Sequence, residues 1–335
     1  MNFRFTFSAI LLCMIACNDQ PTQAVDADKA MDYELVDNWP HYPPGTIGQP
    51  TGIDVDSNNH LFVFHRAGRL WTNPFPDTTI GRNTILEIDC ESGEIINSWG
   101  ANLFIMPHGL TVDQNNHVWV TDVGLHQVLK FSHDGQLLMT LGEAKTPGND
   151  STHFNLPTDV AVGKDGMFYV SDGYGNSRVA KFSAEGKYLL SWGAFGDLEG
   201  QFNTPHAIDL DQDGNVYVAD RQNNRIQEFD GLGKYLRTFK NNQEVEQIPS
   251  LTLSDLGMLV AVDYDSRIEK DSTANGSTIF GFDSSGDEHF RFGSDGSPVR
   301  KPSWYHDITL DKSGNIYVGD IFGMKVLKFR LKPVL

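Results

Sequence analysis

The chain has 335 residues, 32 of them glycine, and a formal net charge of −18. An acidic surface repels a phosphate backbone, so nucleic acid is excluded as a partner. Frequent glycine among short alternating apolar runs points to strands and turns rather than helices.

In chain order, residues 1–17 read as an export signal. Arg4 precedes the apolar run FTFSAILLCMIA, which is too short to span a bilayer. The run ends at Met14-Ile15-Ala16-Cys17, which resembles a lipobox, where the cysteine is lipidated and becomes the new N-terminus. Simple signal cleavage nearby is the alternative. Residues 18–32 are polar, contain Pro21 and read as a tether. The expectation is an exported protein of the periplasm or cell envelope, touching the membrane only through a lipid on Cys17. Cys13 and Cys17 belong to the signal, so Cys90 has no intrachain partner in the body of the protein.

From residue 33 onward the chain repeats. Copies begin at PTGIDVDSNNHLFVFHRAG (residue 50), PHGLTVDQNNHVWVTDVG (107), PTDVAVGKDGMFYVSDGYG (157) and PHAIDLDQDGNVYVADRQN (205). A degenerate PSLTLSDLGMLVAVDYD starts at 249, and HDITLDKSGNIYVGDIFG at 306. A period of roughly 50 residues built of strands is a propeller period, not a helical-repeat period. Each copy reads as strand, Asp/Asn/Gly turn, strand, then a second hairpin such as RVAKFSAEGKYLLSWG. Four strands per copy make one blade. The sixth copy ends before its outer strand, and YELVDNWP (33–40) is expected to supply it. The prediction is an all-β, six-bladed β-propeller spanning residues 33–335, with its ring closed by the N-terminal strand; the wording of the repeat resembles the NHL family of propellers.

First strands line the channel of a propeller, so equivalent residues form rings around its axis. The ring after the first-strand proline reads Thr51, His108, Thr158, His206, Ser250, His306. Histidine falls in alternate blades, so three imidazoles related by a pseudo-threefold axis are expected to face one point. Three nitrogens with open positions suit a catalytic metal. Zn²⁺ is the first choice, and Fe²⁺ or Cu²⁺ also fit this donor type. His60, His117 and His133 sit in or beside turns and read as surface residues.

The stretches PHGLTVD, VTDVGLHQV, PTDVAV, VSDGYGNSR, PHAIDL, VADRQNNRIQ and HDI resemble the lyase half of peptidylglycine α-amidating enzymes, the peptidyl-α-hydroxyglycine α-amidating lyases. The resemblance runs from about residue 50 to 330 and is weakest in the fifth copy. It implies a six-bladed propeller with catalytic Zn²⁺ on His108, His206 and His306. Tyr174 is implied as general base, and Arg66 and Arg221 as carboxylate-binding arginines. A structural Ca²⁺ is implied on Asp307 and the backbone carbonyls of Ile53 and Leu110. The implied reaction cleaves the C–N bond of a small peptidyl or N-acyl α-hydroxyglycine, giving an amide and glyoxylate. A separate hydroxylating monooxygenase would supply that substrate, and the lyase would act as a monomer.

The chain also departs from the family. Animal members carry two disulfides where this chain has Asn155, Gly175, Tyr217 and Glu228, and Met-Pro where it has Trp304-Tyr305. Two other functions fit a propeller of this kind: a protein- or glycan-binding NHL module, and a calcium-dependent lactonase or esterase. The nitrogen ring argues against the second, because those sites are built from oxygen ligands.

Overall fold

A computed structural model describes residues 32–332 apart from 241–245, 255, 269–273, 275, 284 and 294–301. The expected signal and almost all of the expected tether lie outside the described residues. The described residues form 24 strands arranged as six four-stranded antiparallel sheets, the blades of a propeller. Five sheets use consecutive strands. The sixth combines Tyr305–Leu310, Ile316–Asp320 and Lys325–Leu331 with Tyr33–Leu35 from the other end of the chain, in the register Tyr33↔Leu331 to Leu35↔Phe329. Pairing stops at Leu35 rather than reaching residue 40. The chain turns at Asn38, whose φ of 57° is one that asparagine tolerates better than most residues.

The sequence alternation builds the seams between blades. Second strands such as Val118–Asp122, Phe168–Asp172 and Val216–Asp220 are buried along their whole length, whereas a fourth strand such as Tyr188–Trp192 alternates between half-buried and exposed. A hydrophobic cluster fills each seam. Phe62, Phe64, Phe104, Val118 and Phe131 lie between the first and second blades, and Ile53, Leu61, Ile88, Tyr317 and Val326 between the sixth and first. Each fully buried side chain of this size contributes about 1.5–3 kcal/mol. The stability therefore resides between blades, and it sets the distances across the channel.

Candidate active site

The first strands carry the site. In five blades the register of this strand slips by one residue at or near its start: between Pro50 and Gly52, Pro107 and Leu110, Pro205 and Ala207, Gln247 and Ser250, and Tyr305 and Asp307. The extra residue is a β-bulge, which redirects a side chain out of the alternating pattern. In the second, fourth and sixth blades the redirected residues are His108, His206 and His306.

The loop ahead of each histidine is clamped by an aspartate that ends the second strand. Asp122 accepts from the backbone N–H groups of Ile105 and Met106, Asp220 from that of Asn203, and Asp320 from that of Trp304. The repeated aspartate of VTD, VAD and VGD thus holds the histidine of its own blade.

The three imidazoles form a nearly equilateral triangle. Their centroids are 4.7, 4.8 and 4.8 Å apart, and each pair of planes crosses at 68–70°. Each ring also contacts the next blade: Nδ1 of His108 lies 2.7 Å from the carbonyl of Thr158, that of His206 2.7 Å from Pro249, and that of His306 2.8 Å from Thr51. A carbonyl only accepts, so each Nδ1 carries the proton and each Nε2 presents a lone pair. The ligand atoms of the three histidines lie within 4.8 Å of one another. Burial holds all three pKa values down, with neighbouring histidines and arginines adding to the effect: His306 falls to about 3, and His108 and His206 well below the ordinary value. Three neutral imidazoles with fixed tautomers and converging lone pairs are the donor set a divalent transition metal requires.

These contacts correct one ring member. The residue equivalent to Thr51 and Thr158 in the fifth blade is Pro249, whose carbonyl receives His206. Ser250 lies one position further and donates its hydroxyl to Asp307 Oδ1 at 2.6 Å. The first strand of that blade is longer, Glu246–Leu253, and its register shift spans Gln247 to Ser250, which moves the frame.

Tyr174 reaches the ring from the third blade. Its hydroxyl lies 3.1 Å from His108 Nε2 and 2.9 Å from His206 Nε2, and Arg221 Nη1 donates to it at 3.1 Å. Gly173 makes this approach feasible, because a Cβ there would lie 1.9 Å from the Pro205 carbonyl. Arg221 is buried, and its Nε has no hydrogen-bond partner among the described residues. Arg66 is also buried. It donates to Gln49 Oε1 and the Pro107 carbonyl and lies against Trp71 with Cζ 5.1 Å from the ring centroid. Burial lowers its pKa to about 10, which leaves it charged at neutral pH. An open cleft of about 630 Å³ lies beside Tyr174, lined in part by Asn149, Asn176, Phe195 and Thr204.

Deeper along the first strands sit four partly buried carboxylates. Each accepts a backbone N–H from the next blade: Asp54 from Val112, Asp159 from Ile208, Asp209 from Leu253, and Asp307 from Ile53. Burial raises their pKa values, and repulsion among them adds to the rise. Asp54 reaches about 6, Asp209 and Asp307 about 7, and Asp159 is raised well above the ordinary carboxylate value. Asp307 thus touches the backbone of Ile53, and Leu110 occupies the equivalent place in the second blade. Oxygen donors whose charge burial disfavours are chemically suited to a hard cation.

The departures at the other positions are also resolved. Asn155 packs on Gly175, where a Cβ would lie 2.2 Å from the Asn155 carboxamide carbon, and Tyr217 pairs directly with Glu228 across two strands. Tyr305 turns into the core between the fifth and sixth blades, while Trp304 stacks on Tyr264 with centroids 4.5 Å apart. Trp71, which spans Arg66 and Tyr174, was not apparent from the sequence, because its loop lies outside the repeat.

Residues 104–131, 154–182 and 202–229 match the NHL repeat. The chain is 36% identical over 302 residues to peptidyl-glycine α-amidating monooxygenase B of Xenopus laevis, covering 84% of this chain and 34% of that protein. It is 40% identical over 233 residues to a probable peptidyl-α-hydroxyglycine α-amidating lyase of Caenorhabditis elegans, covering 66% of this chain and 65% of that one. The chain thus spans about a third of the first relative and just under two thirds of the second. Among solved structures, a streptogramin B lyase superposes with a TM-score of 0.57 at 16% identity, covering 90% of this chain and 98% of that one, which shows a shared fold.

Proposed function

The chain is an NHL-repeat homologue of the peptidyl-α-hydroxyglycine α-amidating lyases, and from that premise we propose that it cleaves peptidyl-α-hydroxyglycine to a peptide amide and glyoxylate. The observation that carries the reading is Tyr174 Oη lying within 3.1 Å of two imidazole nitrogens and of a guanidinium. A divalent metal, zinc by preference, would be held by Nε2 of His108, His206 and His306 and would supply Lewis acidity that makes the substrate hydroxyl easier to ionise.

The side chains of this protein carry the remaining steps. Tyr174, as its phenolate, accepts the proton of the α-hydroxyl. The oxygen's electron pair forms the carbonyl of glyoxylate, the C–N bond breaks, and the amide nitrogen takes a proton, which Tyr174 can return. Arg221 and Arg66 bind the terminal carboxylate. Their charges are held in a buried setting where an anion pairs strongly, and a guanidinium presents a planar fork that matches a carboxylate. The cleft beside Tyr174 receives the acyl or peptide portion. In this reading Asp307 and the carbonyls of Ile53 and Leu110 would hold Ca²⁺, which would tie the sixth, first and second blades together. Export, with lipidation at Cys17, completes the proposal and places the reaction in the cell envelope.

The test is an assay of glyoxylate release from α-hydroxyhippurate by purified protein, before chelation, after it, and after adding zinc back. Release that chelation abolishes and zinc restores supports the reading. A folded, zinc-loaded protein that releases no glyoxylate overturns it.

A further inference from the structure

We propose a second metal site at the seam of the first and second blades, formed by Asp56, His60, Glu87 and His133, that takes a first-row divalent cation such as zinc. The four side chains come from separate places. Asp56 begins the turn after the first strand of its blade, His60 opens the second strand, and Glu87 lies mid-way along the third strand, Ile85–Asp89. His133 comes from the second blade, in the turn after Gln127–Phe131. One donor atom from each lies within 4.8 Å of all the others. His60 Nδ1 is 2.8 Å from Glu87 Oε1, and His133 Nε2 is 2.9 Å from Asp56 Oδ2 and 3.5 Å from Glu87 Oε1. The carboxylates are buried, while the two imidazoles retain 24% and 34% side-chain exposure, so an ion has a route in.

The other blades show what is unusual here. The residue paired with the aromatic of the second strand is lysine in three of them: Trp119↔Lys130, Tyr169↔Lys181 and Tyr317↔Lys328. In the fourth the place is also held by a glutamate, Glu228 opposite Tyr217, but Arg237 pairs with it. In the third and sixth blades the lysine donates to a carbonyl in the next blade's turn, Gly231 or Cys90. In the second it sits 3.6 Å from Asp113, the counterpart of Asp56. The first blade inverts this arrangement. Phe62 pairs with Glu87, and the next blade's turn offers the imidazole of His133. Two buried carboxylates therefore face each other where a cation otherwise stands, which is costly unless positive charge is supplied. Two imidazole nitrogens and two carboxylate oxygens are a sufficient ligand set for zinc. The site lies roughly 17 Å along the first strand from the histidine ring, so it fastens two blades rather than serving the chemistry. It stands independently of the lyase reading.

The test titrates zinc into chelator-stripped full-length protein against a chromophoric competitor, and records thermal midpoints. Wild type is expected to bind one equivalent more than Glu87→Lys, which restores the residue type of the second, third and sixth blades and should therefore fold. His133→Gln should also lose one equivalent, and His206→Ala should keep this site. Zinc should raise the midpoint of His206→Ala but not that of Glu87→Lys combined with His206→Ala. Equal zinc binding by wild type, Glu87→Lys and His133→Gln overturns the proposal.

Discussion

His108 donates from Nδ1 to the backbone carbonyl of Thr158 at 2.7 Å, and the Thr158 hydroxyl lies 2.8 Å from the carbonyl of Pro205, the residue before His206. One threonine in the third blade thus braces two histidines of its neighbours. Gly109 makes room for this, since a Cβ there would lie 2.5 Å from the same Thr158 carbonyl. Thr158→Val keeps the shape and the carbonyl but removes the hydroxyl. It is expected to cost about 1–3 kcal/mol of stability for the buried bonds it breaks and to weaken zinc binding by up to about 100-fold as His206 loosens. Denaturant unfolding and a zinc competition titration check both effects.

The Tyr174 hydroxyl meets two imidazoles, and Gly173 is what lets it come so close. Tyr174→Phe should leave zinc content unchanged and lower kcat by about 10²–10⁴-fold, the usual contribution of a positioned acid–base group. Gly173→Ala retains the phenol but pushes the turn off the Pro205 carbonyl. It should lower activity while stability also falls, which Tyr174→Phe should not cause. Steady-state kinetics beside thermal melts separate the two.

The buried guanidinium of Arg221 both contacts Tyr174 and offers an unpartnered Nε. Arg221→Lys keeps a positive charge but loses the fork. The expected result is a higher KM for a substrate with a free carboxylate, together with a lower kcat through the lost contact to Tyr174. Comparison with the corresponding carboxamide substrate isolates the first effect, because the variant and wild type should differ less on it.

Asp209 gives a pH signature. Its folded pKa is raised from the ordinary carboxylate value of 3.8 to about 7, chiefly by burial. The folded protein therefore holds the proton more tightly than the unfolded chain. The stability this provides is complete below about pH 4 and is lost as the pH rises through about 7. Asp209→Asn resembles the protonated form at every pH. Stripped of metals, the variant should gain on wild type between about pH 4 and 7, by up to about 4 kcal/mol, and the gap should then level off. Urea unfolding across that range measures it. A constant gap would show that Asp209 titrates normally.

Much of the site was legible because the repeat converts position along the chain into position around an axis. His108, His206 and His306 could be grouped before any coordinates, and so could Arg66 and Arg221 at matching turns. The fifth blade resisted this, since its longer first strand shifts the frame and put Ser250 where Pro249 belongs. His60 and His133 looked like surface residues because their partners are supplied across a blade seam. The available signal was Glu87, standing where Lys130, Lys181 and Lys328 stand in three other copies and, unlike Glu228 of the fourth, meeting histidines rather than an arginine.

The sequence by itself therefore determined the number of blades, the alternation of the histidines and the chemical nature of their donor atoms. All three follow from local pattern and repeat spacing. Only the tertiary structure decided which nitrogen of each imidazole faces the axis, how closely Tyr174 approaches it, and that four polar residues meet between the first two blades. Those outcomes depend on contacts from one blade to the next, where the packing of a seam, rather than the identity of any single residue, fixes the distance.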